Sequence, residues 1–271
     1  MCREDWITRT EEESCTAELL GGLRVVLRER VITRFRTHKT GALLAYLAYH
    51  RDAALSRDRL VDAIWPEDDV DQARQKLRLA LHSLHNQLEP PEIPRGSVLV
   101  ADRASVKLNP PAYSTDVAEF EAALRAATSA ASDMTRVQQL MQAVELYRGP
   151  LLSDYFEEWI EPERERLADA HFHALERLTH HWEQAGDLPR AVEFARRAIS
   201  IDPLREEAHH ELIRLWKAAG QPAPALRQYF EIERILEEEL GAEPSAATRE
   251  LARDLISAAP AAGARWSAPC G

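Results

Sequence analysis

Gln75, Arg78, Leu79 and His82 stand at offsets of 0, 3, 4 and 7, so on a helix of 3.6 residues per turn they share one outer stripe. Each side chain suits the edge of a base. Arginine grips guanine with two hydrogen bonds, glutamine does the same for adenine, and an aliphatic group packs on the thymine methyl. Arg74 and Lys76 flank the stripe as candidate contacts to backbone phosphates. Ala73, Leu77, Leu81, Leu84 and Leu88 form an apolar face on the opposite side. A solvated charged face would carry some of the same residues, so the stripe gains meaning only from the elements around it.

Those elements are legible. Ser56 is placed to cap a preceding helix, with Asp58 in its first turn, where a negative charge suits the helix dipole. Leu60, Val61, Ile64 and Trp65 give that helix an apolar side, and Pro66 ends it. After Glu67-Asp68-Asp69 the second helix starts. A capped support helix, a tight break and a helix with a cationic outer face is the pattern of a helix-turn-helix.

The flanks complete the picture. Alternation in Leu23–Leu27, then Val31 and Ile32, predicts a hairpin or short meander over 18–36. Thr37 opens a further helix whose apolar face is Leu43, Leu44, Leu47 and Ala48. His38, Lys39 and Thr40 at its start are candidates for a phosphate contact, with plain capping as the alternative. After Pro90, Pro91 and Pro94, Val98–Val100 and Val106–Leu108 predict a second hairpin. Arg103 in its turn and Lys107 behind it are wing contacts to the minor groove or phosphate, or simply exposed loop charge. Three helices framed by two hairpins is the layout of a winged helix.

The net charge of −11 over 271 residues argues against nucleic acid until the chain is divided. Residues 1–112 carry 17 basic and 17 acidic side chains, whereas residues 113–271 carry 17 and 28. All the acidic excess lies in the second half, where it suits a basic protein partner. Cys2, Cys15 and Cys270 fall in the terminal segments, read as tails, and form neither a disulfide framework nor a ligand set. No apolar run is long enough to span a bilayer and the N-terminus has no secretory pattern, so a cytoplasmic protein is expected.

Beyond Asp116 the period is helical, and four pairs recur at an offset of 34: Leu178 and Leu212, Trp182 and Trp216, Gly186 and Gly220, Ala191 and Ala225. That spacing is the tetratricopeptide signature. An earlier helix pair is read at 117–130 and 137–148, followed by an aromatic insertion, Gly149 to Pro162, with Tyr155, Phe156 and Trp159. Trp159, Trp182 and Trp216 are assigned to the repeat core. The ten histidines lack the cysteine or carboxylate company of a metal site. No phosphate loop or nucleophile elbow is present, so no catalytic residue, metal or cofactor is expected.

Taken in order, Lys39 with Ala42–Ala48, Leu55–Leu60, Ile64-Trp65-Pro66, and Ala73-Arg74 through Leu84 form one set of motifs. Asp116–Phe120, Tyr147–Leu152 and Glu238–Ser245 form another. With both sets the chain resembles the bacterial SARP-type transcriptional regulators, over about residues 19–256. In these an OmpR/PhoB-like winged helix precedes a bacterial transcriptional activation domain of tetratricopeptide-like helices. His82, His85 and Leu79 depart from what relatives carry on the outer face, which leaves the target sequence open. The resemblance implies an activator that binds promoter direct repeats in double-stranded DNA as a head-to-tail homodimer. It also implies that the helical domain serves self-association or contact with RNA polymerase.

The expected fold is therefore mainly α: a leader (1–17), a winged helix-turn-helix of α+β type (18–112), an all-α tetratricopeptide-like domain (113–258) and a tail (259–271). The expected function is sequence-specific DNA binding in transcription, with no membrane association. A tetratricopeptide adaptor whose winged helix binds protein instead of DNA is the alternative, kept open by the neutral total charge of residues 1–112.

Overall fold

The computed structural model describes residues 15–258, apart from Glu29, Asp52 and residues 110–112. It divides into two compact units, one up to His171 and one from Phe172 onward.

The first unit begins with β1 (Cys15–Glu18), β2 (Arg24–Leu27) and β3 (Arg30–Ile32). β1 and β2 pair antiparallel with Cys15 opposite Leu27, and β2 pairs with β3 with Val25 opposite Ile32. Alternation sets the faces: Val25 and Leu27 are buried while Arg24 and Val26 are only partly covered. Three helices follow: α1 (His38–Tyr49), then, after the two-residue strand β4 (Leu55–Ser56), α2 (Arg57–Ile64) and α3 (Val70–Leu88). Each start has a side-chain cap, from Thr37, Ser56 and Asp69 respectively. The hairpin of β5 (Leu99–Ala101) and β6 (Ser105–Leu108) pairs with β4 in the order β4-β6-β5. β7 (Tyr113–Thr115) then lies parallel to β1 and closes the other sheet as β3-β2-β1-β7.

Two sequence expectations are corrected here. Residues 15–17 are not leader but strand, and Cys15 is a buried core thiol pushed up to about 12 by burial. The rest of the leader, the tail 259–271, Cys2 and Cys270 lie outside the described residues.

The unit does not close at β7. Leu43, Leu47, Leu60, Leu77, Leu84 and Leu99 share one apolar cluster with Val117 and Phe120 of α4 (Asp116–Ser129), Ala143 of α5 (Asp133–Leu146), and Leu151 and Leu152. Asp116 ties the parts together. Its buried carboxylate accepts hydrogen bonds from the Leu19 and Leu20 amides at 2.8–3.0 Å and from Val117 N at 2.8 Å. Trp159 belongs here too, with its ring 5.1 Å from Tyr46 and 5.5 Å from Tyr49. Assigning it to the repeat core was wrong.

The long helix α6 (Ile160–Gln184) spans the division. The second unit continues with α7 (Leu188–Ile201), α8 (Glu206–Ala218), α9 (Pro222–Leu240) and α10 (Ala246–Ala258). Ala191 packs with Leu212 and Leu215, flanked by Trp182 and Trp216; Ala225 packs with Ile213, Ala252 and Leu255. The small side chains at the matched positions let paired helices approach. Gly186 and Gly220 turn the chain at φ +77° and +68°, a region that suits glycine. α9 runs to Leu240 and ends on left-handed Gly241. Among the described residues no helix is long and apolar enough to cross a membrane, and no cluster of three or more potential ligands could hold a metal ion.

Candidate nucleic-acid interface

The hydrophobic stripe of α3 decides what its other side offers. Ala73, Leu77, Ala80, Leu81, Leu84 and Leu88 are buried against the unit's core, so Arg74, Gln75, Lys76, Arg78, Leu79, His82 and Asn86 are left exposed. Leu79 is 50% exposed, a large apolar side chain held in water by its place on the stripe.

The exposed polar groups differ in their commitments. Arg74 Nη2 lies 3.0 Å from Asp58 Oδ1, and Lys76 Nζ 2.6 Å from Asp68 Oδ2. Arg74 and Asp58 both stand well out in solvent, where such pairs contribute about 0–1 kcal/mol and exchange readily for a phosphate. Asn86 Nδ2 donates to His82 Nε2 at 3.2 Å. Gln75 and Arg78 have no hydrogen-bond or ion-pair partner among the described residues.

A cleft of about 860 Å3 separates α3 from the β5–β6 hairpin. Arg57, Arg74, Arg78 and Arg103 line it, facing only Asp58 and Asp102 among acidic groups. The hairpin tip is built by Asp102, whose carboxylate accepts the Ala104 and Ser105 amides at 2.7 Å each. The Ser105 and Ala104 amides hold its carboxyl below the usual aspartate range. Arg57 then donates from Nε and Nη2 to the Asp102 carbonyl at 3.0 and 2.7 Å. Arg103 is thereby presented in solvent at the tip, and Lys107 is exposed on β6, outside the cleft lining. The hairpin turn was legible from Asp102–Ser105, but nothing local marked Arg57 as its latch.

The N-terminus of α1 is arranged differently. Thr40 is buried, with its hydroxyl 2.8 Å from that of the cap Thr37. His38 stacks on Tyr155 at 4.2 Å between ring centres and donates from Nε2 to the Asp154 carbonyl at 2.9 Å. Lys39 Nζ pairs at 3.1 Å with Glu157, whose side chain is 5% exposed. Glu157 Oε2 has no hydrogen-bond partner, so the lysine is that carboxylate's main compensation. The structure thus gives Lys39 an internal partner and buries most of Thr40, although both line a pocket with Lys76 and Leu79, whereas Gln75, Arg78 and the wing stand open. Glu157 sits 118 residues from Lys39, too far for any sequence pattern to connect them.

A helix-turn-helix with a wing, followed by helices that pair at a 34-residue repeat, defines a class of winged-helix proteins with tetratricopeptide-like extensions. The chain belongs to the bacterial transcriptional activator domain family, which it matches over residues 115–256, and is of the SARP type. That family consists of transcription regulators rather than enzymes. The chain is 28% identical to the regulatory protein AfsR of Streptomyces coelicolor over 81% of its own length, and spans 22% of that relative. It is 23% identical to MoaR1 of Mycobacterium tuberculosis, covering 89% of this chain and 79% of MoaR1. It is 26% identical to EmbR of the same species, covering 93% and 66%. A solved structure of M. tuberculosis EmbR in complex with a low affinity phosphopeptide has the same fold, with a TM-score of 0.69 at 24% identity over 91% of this chain and 66% of that one. The family match starts at 115, whereas the first compact unit runs to His171. Family boundary and packing boundary therefore differ, because α4 and α5 are packed into the winged-helix core.

Proposed function

We propose that this chain is a sequence-specific DNA-binding activator of transcription. The observation that carries the proposal is the α3–wing cleft, where Arg78 is uncommitted and Arg74 and Arg103 stand in solvent. α3 enters the major groove, with Gln75, Arg78, Leu79 and His82 at the bases and Arg74 and Lys76 at the flanking phosphates. Arg103 and Lys107 follow the backbone or the adjacent minor groove. The family supports the rest: two copies sit head to tail on direct repeats, and the helical domain contacts RNA polymerase.

Selection from a random-sequence duplex pool by the full chain tests this. The expected outcome is enrichment of a short motif repeated in the same orientation at a spacing of about one helical turn or a multiple of it. A bound pool that stays random in sequence would overturn sequence-specific binding.

A further inference from the structure

The α3–wing cleft requires that the β5–β6 hairpin stand in a set position against α3. The two are joined by residues 89–98, a stretch with Pro90, Pro91 and Pro94 and no helix or strand of its own. Such a connection does not by itself fix a hairpin; the β4–β6 pairing and the buried Leu99 hold part of it, and Glu89 holds its root. It is the C-cap of α3, where the helix dipole disfavours a negative charge, and its side chain is completely buried. Both circumstances are unfavourable for a carboxylate unless donors surround it.

Four donors do. Oε1 accepts from Val98 N at 2.9 Å and Leu99 N at 2.8 Å, and Oε2 accepts from Gly96 N at 3.0 Å and His85 Nδ1 at 2.8 Å. Burial pushes the carboxyl up, but the amides of Leu99, Gly96 and Val98 and the His85 ring outweigh it and hold it below the usual glutamate range. Leu99 is the first residue of β5, so this one carboxylate joins the end of α3 to the root of the wing. The far end of the hairpin is held separately by Arg57 on the Asp102 carbonyl.

We propose that Glu89 is a positioning residue of the interface: its carboxylate sets the wing against α3 so that Arg103 meets the same duplex that α3 reads. The inference rests on the DNA-binding proposal above and deepens it. Glu89 is sealed from solvent, so its influence on a ligand runs through the elements it joins, the wing and the end of α3.

A double-mutant cycle on the full chain tests it. Glu89→Gln, Arg103→Ala and the double variant are titrated against a duplex that the wild-type chain has enriched from a random pool, at several salt concentrations. Glu89→Gln keeps the shape and one acceptor oxygen, but sets an NH2 where Oε2 accepts from Gly96 N and His85 Nδ1. In the wild-type background Arg103→Ala is expected to weaken binding several-fold and lower the log–log salt slope by roughly one. In the Glu89→Gln background the same change is expected to have a distinctly smaller effect. An Arg103 effect of equal size in both backgrounds overturns the proposal. Should Glu89→Gln fail to fold by circular dichroism, His85→Phe takes its place. It removes one donor, and the Arg103 effect is expected to shrink part of the way; an undiminished effect overturns the proposal. Absence of binding by the wild-type chain would instead sink the DNA-binding reading, so the two failures are distinguishable.

Discussion

Two cationic patches lie in the first unit, and they are committed in opposite ways. On α3 and the wing, Arg74, Arg78 and Arg103 reach into solvent and hold at most an exposed, exchangeable carboxylate. At the N-terminus of α1, Lys39 pairs with the buried Glu157, His38 is stacked under Tyr155, and Thr40 is inside. The same residue types therefore have different availability. What separates the patches is a segment far away in sequence: Asp154, Tyr155 and Glu157 supply partners to one helix start, and among the described residues no such segment supplies one to Arg78. A charged residue becomes a candidate ligand contact only after the partners contributed by the rest of the fold are known.

The contrast can be broken at either side. The largest expected effect is on the open side. Arg78→Ala should weaken binding of the enriched duplex by about 1–3 kcal/mol and relax preference at one base pair. Titration against base-substituted duplexes checks this, and uniform weakening on every sequence would make Arg78 a phosphate contact. On the closed side, Gly41→Ala drives a Cβ into the Tyr155 hydroxyl and to 3.1 Å from the Phe35 ring. Tyr155 is pinned by its stack on His38, so the variant should lose about 1–3 kcal/mol in denaturant unfolding.

A pH series sharpens the account of the wing root. The carboxyl of Glu89 is held below its ordinary value in the fold, so the stability it contributes is complete above the unfolded value of about 4.3. It is lost as pH falls through the lower folded value. The unfolding midpoints of wild type and Glu89→Gln should therefore differ at neutral pH and converge under acid. The smallest effect belongs to Lys39→Ala. It should cost about 1 kcal/mol of stability by leaving Glu157 without its partner, yet change DNA affinity by less than about 0.5 kcal/mol. A loss of affinity as large as that of Arg78→Ala would show that the two patches are not different after all.

Much of the candidate interface is legible in the sequence. The α3 stripe follows from a 3.6-residue period over Ala73–Leu88, the wing from two short apolar runs around an Asp-led turn, and the helix pairs from glycines and tryptophans 34 residues apart. The elements missed were those without local signal. β4 has two residues and β7 three, too short for a period, and both exist because long-range partners complete their hydrogen bonds. Cys15 looked like part of a tail because its strand pairs with residues about 12 and 98 positions away. The same holds for function: Glu157 for Lys39, Asp116 for Leu19 and Arg57 for Asp102 are pairings across 118, 97 and 45 residues. Glu89 was within ten residues of its partners, but a buried carboxylate at a helix C-terminus contradicts the local preference that sequence reading relies on.

The central claim is that the open cationic cleft of α3 and the wing binds duplex DNA. The most direct measurement is the affinity of the full chain for its enriched duplex as a function of salt. With about six phosphates contacted, the log–log slope should lie near −5. No binding at low salt, or an affinity indifferent to salt, would contradict the account.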